Sequence, residues 1–194
     1  MRVGVIDRKT KETEIHVTVK IDGTGISEVQ TGIPFFDHML DQLARHSGAD
    51  LTVNAVGDLE VDTHHTIEDV GIAIGQAWST ALGDKRGIVR FADALVPLDE
   101  ALVQVALDCS GRPFLDYRVN PPSEWIGTFD PQLAEEFWRA VATAAGWTLH
   151  IRQVEARNAH HVIEASFKAV AQSLRRACRV EHVDGAVPST KGTL

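Results

Sequence analysis

The sequence predicts an α/β chain of the α+β kind, made of two duplicated halves whose helices pack between two mainly antiparallel or mixed β-sheets. Three observations predict it. The motif His-His-x-x-Glu occurs twice, as His64-His65-Thr66-Ile67-Glu68 and His160-His161-Val162-Ile163-Glu164. Each copy opens a stretch with apolar residues at helical spacing. Each is preceded by an alternating strand, and that strand by a helix ending near a glycine. The repeat makes positions in one half comparable with positions in the other.

The elements follow in order. Met1 to Val5 has no signal-peptide pattern, because a charge arrives at Asp7 and no long apolar stretch follows. Ile15 to Ile21 alternates as a half-buried strand and stops at Asp22-Gly23-Thr24-Gly25. Phe35 to His46 reads as a helix with Met39, Leu40, Leu43 and Ala44 on its apolar face, leading to Gly48. Leu51 to Val56 is the next strand. From His64, the residues Ile67, Val70, Gly71, Ile74, Ala77, Trp78, Ala81 and Leu82 keep helix spacing until Gly83. These elements fill a first half, residues 1–86.

The second half, residues 87–180, repeats the order. A strand from Leu102 to Leu107 ends at Asp108-Cys109-Ser110-Gly111. A helix from Pro131 to Ala145 leads to Gly146, and the strand Leu149 to Val154 follows. Ile163, Phe167, Val170, Leu174 and Ala177 mark the last helix. No Pro/Gly-rich linker divides the halves, so one pseudo-symmetric domain is expected. The tail, residues 181–194 with Val180 before it, lacks periodicity and reads as loop.

Composition limits the function. The 194 residues carry a net charge of −8, which argues against nonspecific nucleic-acid binding. An anionic substrate then needs cations focused locally. No apolar run approaches the roughly 20 residues that cross a bilayer, so no membrane partner is expected. Cys109 and Cys178 are isolated and form no CxxC pair, which suits a reducing, cytosolic location. The anomaly is nine histidines, four of them in two adjacent pairs.

A helix turns 100° per residue, so His64 and Glu68 share a face and His65 points elsewhere. Imidazole and carboxylate without thiolate suit Mn, Fe, Zn or Co. Two copies at equivalent positions imply two metal sites. His38 lies on the polar side of its helix, ten residues before Gly48, and Glu136 lies ten before Gly146. Glu136 is therefore the repeat mate of His38, with a carboxylate in place of imidazole, and is kept as a ligand beside the alternative of a solvated helix glutamate. Lys168 is one turn beyond Glu164 on the same face. Solvated or structural roles are assigned to His16, His150, His182 and Cys109, while His46 shares the face of His38 and Gln42.

Further stretches carry a resemblance: Arg8-Lys9-Thr10-Lys11-Glu12-Thr13, Gly32-Ile33-Pro34-Phe35-Phe36-Asp37-His38-Met39-Leu40, Ser110-Gly111-Arg112-Pro113 and Pro188-Ser189-Thr190-Lys191-Gly192. With the two His-His-x-x-Glu helices they resemble the imidazoleglycerol-phosphate dehydratase family, collinearly from Arg8 to the C-terminus. The resemblance implies conversion of imidazoleglycerol phosphate to imidazoleacetol phosphate and water in histidine biosynthesis. It implies two Mn²⁺ per subunit and a 24-subunit homo-oligomer with active sites shared between subunits. The implied metal ligands are His38, His64, His65, Glu68, Glu136, His160, His161 and Glu164, the family normally having histidine at position 136. Glu12 is implied as acid/base, Gln42 as a substrate contact, and Arg90, Arg112, Lys168, Ser189 and Lys191 as the phosphate cradle, so the tail contributes to the site. His65, Glu68, His161 and Glu164 count among the catalytic groups.

Chemistry explains why such a reaction needs metals. The hydrogen to be lost is not activated by a carbonyl, so the imidazole ring must act as electron reservoir. Two ions on its nitrogens support an imidazolate and a diazafulvene-like intermediate as hydroxide leaves. Glu12 is the candidate proton carrier, with Glu14 close by. A dinuclear phosphate-ester hydrolase and a non-catalytic metal-binding shell protein share the His/Glu set. Neither calls for a separate phosphate cradle.

Overall fold

A computed structural model describes residues 1–181 and 186–192 of the chain; His182 lies outside the described residues. In the first half β1 (Val3–Lys9), β2 (Thr13–Lys20), β3 (Ser27–Gln30), α1 (Pro34–Ser47), β4 (Asp50–Gly57) and α2 (His64–Leu82) follow one another. The second half repeats them as β5 (Phe91–Leu98), β6 (Ala101–Asp108), β7 (Phe114–Arg118), α3 (Leu133–Ala145), β8 (Thr148–Glu155) and α4 (Ala159–Ala177). The two sheets have the same topology, β1-β2-β4-β3 and β5-β6-β8-β7. In each, the final strand of that order, β3 or β7, runs parallel to its neighbour and the other pairings are antiparallel.

Alternation sets which face of each sheet is buried. Ile15, Val17 and Val19 of β2 and Leu51 and Val53 of β4 are buried, as are Val103, Val105 and Leu107 of β6 and Leu149 and Ile151 of β8. Helices cover those faces. α2 lies on β1 and β2, α4 lies on β5 and β6, and the halves meet helix to helix, α2 on α3 and α1 on α4. The helices therefore sit between the two sheets, as periodicity predicts.

The α2–α3 crossing is close because it is built from small residues. A Cβ at Gly75 would stand 2.6 Å from the Val141 carbonyl oxygen, and one at Gly71 2.9 Å from that of Phe137. Aromatic rings fill the rest of the seam. Trp78 meets Trp147 edge-on at 5.9 Å, and Phe137 packs on Phe36 and Phe167. Helix α1 stops at Gly48 and α3 at Gly146, both left-handed, with φ of 76° and 68°. Glycine adopts that conformation without a Cβ penalty.

Most boundaries shift by a residue or two from the sequence reading, and two differences stand out. Pro131 lies in the turn before α3, where its carbonyl accepts from the Ala134 N–H, instead of inside the helix. Val180, read as loop, makes an isolated antiparallel bridge with Ile88. The strands β1, β3, β5 and β7 lack the length or the clean alternation that would have marked them individually.

Candidate active site

At the start of each duplicated helix a polar side chain accepts a backbone N–H, though only α4 carries a side-chain N-cap. Asp62 accepts the His64 N–H at 2.8 Å, and Asn158 caps α4 by accepting the His161 N–H at 3.2 Å. Each opening turn then presents two imidazoles almost at right angles. The His64 and His65 rings cross at 84° with centroids 6.2 Å apart, and the His160 and His161 rings at 79° and 6.1 Å. Adjacent histidines thus serve different surroundings.

One cluster gathers three expected ligands from both halves. His38 of α1 and His160 and Glu164 of α4 place one donor atom each within 4.8 Å of one another. His160 Nε2 is 2.9 Å and His38 Nε2 3.4 Å from the same Glu164 oxygen. Phe35 backs the His160 ring edge-on at 5.1 Å. Burial raises the pKa of Glu164, but hydrogen bonds from Lys168 and His160 outweigh it and hold the carboxyl below its ordinary range. Lys168 Nζ is 2.6 Å from Glu164. The donor set of two imidazoles and an ionised carboxylate fits a divalent transition-metal ion and can hold one.

The repeat mate is more open. His64 Nε2 and Glu68 are 4.0 Å apart, and Glu68 is 47% exposed against 12% for Glu164. Glu136 shares one cavity with His64 and another with Glu68, while its carboxylate stands 3.8 Å from Arg139 Nε. It does not join the tight group.

His65 and His161 are each held by a carboxylate through Nδ1. Asp58 lies 3.0 Å from His65 Nδ1 and Glu100 2.9 Å from His161 Nδ1. These bonds raise the pKa of both imidazoles, and His161 in turn holds the Glu100 carboxyl down at about 2. A carboxylate can only accept here, so in the neutral imidazole Nδ1 carries the proton and Nε2 keeps its lone pair. Glu12 is 3.9 Å from His65 Nδ1, whereas exposed Asp99 is 4.0 Å from His161 Nε2.

The expected phosphate groups fall into two places. Arg90 grips Asp108 with a fork of 2.7 and 3.1 Å, donates to the Pro188 carbonyl at 2.7 Å and lies over the Phe91 ring. Arg112 stands 3.6 Å from the same Asp108. Arg90 and Arg112 therefore meet at Asp108, and Arg90 also holds Pro188, next to Ser189. Arg90 has φ of 77°, a strained setting for a residue with a side chain. Lys168 belongs instead with Glu164. Gln42 Oε1 accepts from His46 Nε2 at 3.2 Å, and burial, with the Lys168 charge, lowers the His46 pKa.

Sequence reasoning passed over Asp58, Glu100 and Asp108. Only Glu100 had a signal, since it stands one residue before β6 as Glu12 stands one residue before β2. His16 and His150 bond Asp7 and Asp116, and Cys109 is fully buried.

Fold and site together define a duplicated α/β protein with a His/Glu cluster, shared by its halves, that could hold a metal ion. The model of the family described as "Imidazoleglycerol-phosphate dehydratase" matches residues 31–174. An imidazoleglycerol-phosphate dehydratase of Ruegeria pomeroyi is 56% identical over 195 aligned positions, covering all of both chains. One of Synechococcus sp. (strain CC9902) is 54% identical, covering all of this chain and 97% of the other. The structure of the Staphylococcus aureus enzyme superposes with a TM-score of 0.82 at 38% identity, over 90% of this chain and 97% of that one. A Pyrococcus furiosus structure, solved in complex with (S)-C348, gives 0.84 at 36% identity, over 97% and 100%. The chain belongs to the imidazoleglycerol-phosphate dehydratase family. It is a hydro-lyase of histidine biosynthesis.

Proposed function

We propose that this dehydratase converts imidazoleglycerol phosphate to imidazoleacetol phosphate with two Mn²⁺ per subunit, in the cytoplasm. The observation that carries the metal reading is the His38–His160–Glu164 cluster, drawn from both halves while neighbouring His161 is turned away from it. His38, His160 and Glu164 hold one ion; His64, Glu68 and Glu136 hold the other. His65 and His161 keep Nε2 free for ions bound mainly by other copies of the chain, which ties metal binding to a homo-oligomer, in this reading of 24 subunits. Bound there, the ions supply Lewis acidity and a template for the substrate's imidazole ring.

The chain's own groups do the rest. Arg90 and Arg112 bind the phosphate as forked and single donors, with Ser189 and Lys191 closing over it. Asp108 keeps Arg90 oriented until the anion arrives. Lys168 supplies a further positive charge beside Glu164. Gln42 orients the substrate's polar end. Glu12, exposed and hydrogen-bonded to no side chain through its carboxylate among the described residues, takes the proton from the carbinol carbon and returns it on tautomerisation.

Incubation with imidazoleglycerol phosphate and Mn²⁺ tests the reading. Imidazoleacetol phosphate is the expected product, and none without metal. Release of inorganic phosphate in its place would make the chain a hydrolase and overturn the proposal.

A further inference from the structure

The internal repeat gives Glu12 a structural twin that the reaction as described does not use. Glu12 immediately precedes β2 and Glu100 immediately precedes β6. The pairings agree. Val17 lies opposite Val53 and Val105 opposite Ile151, and each valine is the fifth residue after its glutamate. The two carboxylates nevertheless have different surroundings. Glu100 is 19% exposed, 2.9 Å from His161 Nδ1, with its other oxygen accepting the Arg157 N–H at 3.3 Å. Glu12 is 54% exposed and 3.9 Å from His65 Nδ1.

The difference has a visible cause. In the first half Asp58 follows β4 and occupies the place beside His65, at 3.0 Å and 18% exposed. Its N–H donates to the Glu12 carbonyl at 3.1 Å, so the two segments are fixed against each other. In the second half the residues between β8 and α4 are Ala156, Arg157 and Asn158, without a carboxylate. The hairpin glutamate must orient the histidine there itself.

We infer that Glu100 and Asp58 are positioning residues, each fixing through Nδ1 a histidine whose Nε2 serves a metal, and that Asp58 thereby releases Glu12 for proton transfer. The two halves thus divide between them what one ancestral hairpin carboxylate could do only once. This rests on the metal reading above. A carboxylate on the far nitrogen of a ligating histidine fixes its tautomer and raises its basicity, and losing it typically costs about 10–100-fold in metal affinity.

The test is Mn²⁺ titration of the metal-free full-length protein, followed by the EPR signal of the free ion, alongside turnover. Glu100→Gln and Asp58→Asn should each weaken Mn²⁺ binding by about 10–100-fold, and excess Mn²⁺ should restore their turnover. Glu12→Gln should bind Mn²⁺ within twofold of the parent, with kcat reduced and excess Mn²⁺ without effect. Far-UV circular dichroism checks that each variant is folded; Glu100→Gln preserves side-chain shape and remains informative where Glu100→Ala would loosen the Arg157 turn. Parent-like Mn²⁺ affinity in Glu100→Gln and Asp58→Asn, while His161→Ala loses ions, would overturn positioning alone. Full metal retention by His161→Ala would overturn the ligand reading, and positioning with it.

Discussion

At the scale of single residues, Glu136 is the departure with the sharpest consequence. The repeat puts it where His38 stands, and it lines one cavity with His64 and another with Glu68. A carboxylate is a harder donor than imidazole, so the ion it touches should favour Mn²⁺ over Zn²⁺ more than its twin does. Glu136→Ala should weaken one of two metals selectively, read by metal analysis after dialysis, and Glu136→His should keep activity. Unchanged binding of both ions by Glu136→Ala would leave it a surface carboxylate paired with Arg139. Part of the cluster was legible at this scale: the second His-His-x-x-Glu turn and the polar side of the earlier helix named His160, Glu164 and His38, which converge, whereas Arg90, Arg112 and Glu12 were named only by the family resemblance. Asp58 and Asp108 were not legible, because a lone aspartate at a strand end has no pattern until its partner is in place.

At the scale of elements, two devices hold the frame on which the site depends. The α2–α3 seam is close-packed through Gly71 and Gly75. In an exposed helix Gly→Ala stabilises by about 1 kcal/mol. Here the added methyl meets the Val141 carbonyl, and overpacking of this kind costs about 1–3 kcal/mol. Gly75→Ala should therefore lower the denaturation midpoint; a raised midpoint would show the seam to be loose. The second device is Asp50 at the start of β4. It accepts the Thr24 N–H at 2.7 Å and the Ile26 N–H at 3.1 Å and pairs with Lys20 at 3.0 Å. The Thr24 bond first, despite opposing burial, sets its pKa far below 3.8. A depressed carboxyl contributes stability above its unfolded pKa, and loses it as pH falls through the folded value. Asp50→Asn should cost about 1–3 kcal/mol at pH 7, and its gap to the parent in urea unfolding should narrow as pH drops below 3.8. A gap independent of pH would exclude the ionised form as the cause.

At the scale of the whole molecule, the proposed metal sites would make metal binding and association one process. The tight cluster is complete to three donors within a chain, while His65 and His161 are directed elsewhere. If their ions sit mainly on other copies, removing metal removes links between subunits. Sizing chromatography of chelator-treated protein should show smaller species that return to the large assembly with Mn²⁺. An unchanged large assembly without metal would count against shared sites.

The sequence by itself determined the duplication, the order of the principal helices and strands, and the histidine and glutamate types that could hold a metal. Those properties are local: helix and strand periods, glycine stops and a motif repeated at equal places are written along the chain. Tertiary structure alone decided which of the eight expected ligands converge. His38 and Glu164 stand 126 residues apart in sequence and meet because α1 packs on α4 across the halves. It also decided that Asp58, and not Glu12, orients His65. That choice depends on a separation of 3.0 against 3.9 Å set by how β4 ends beside a hairpin, and a strand's sequence does not encode the distance to a neighbour it has not yet met.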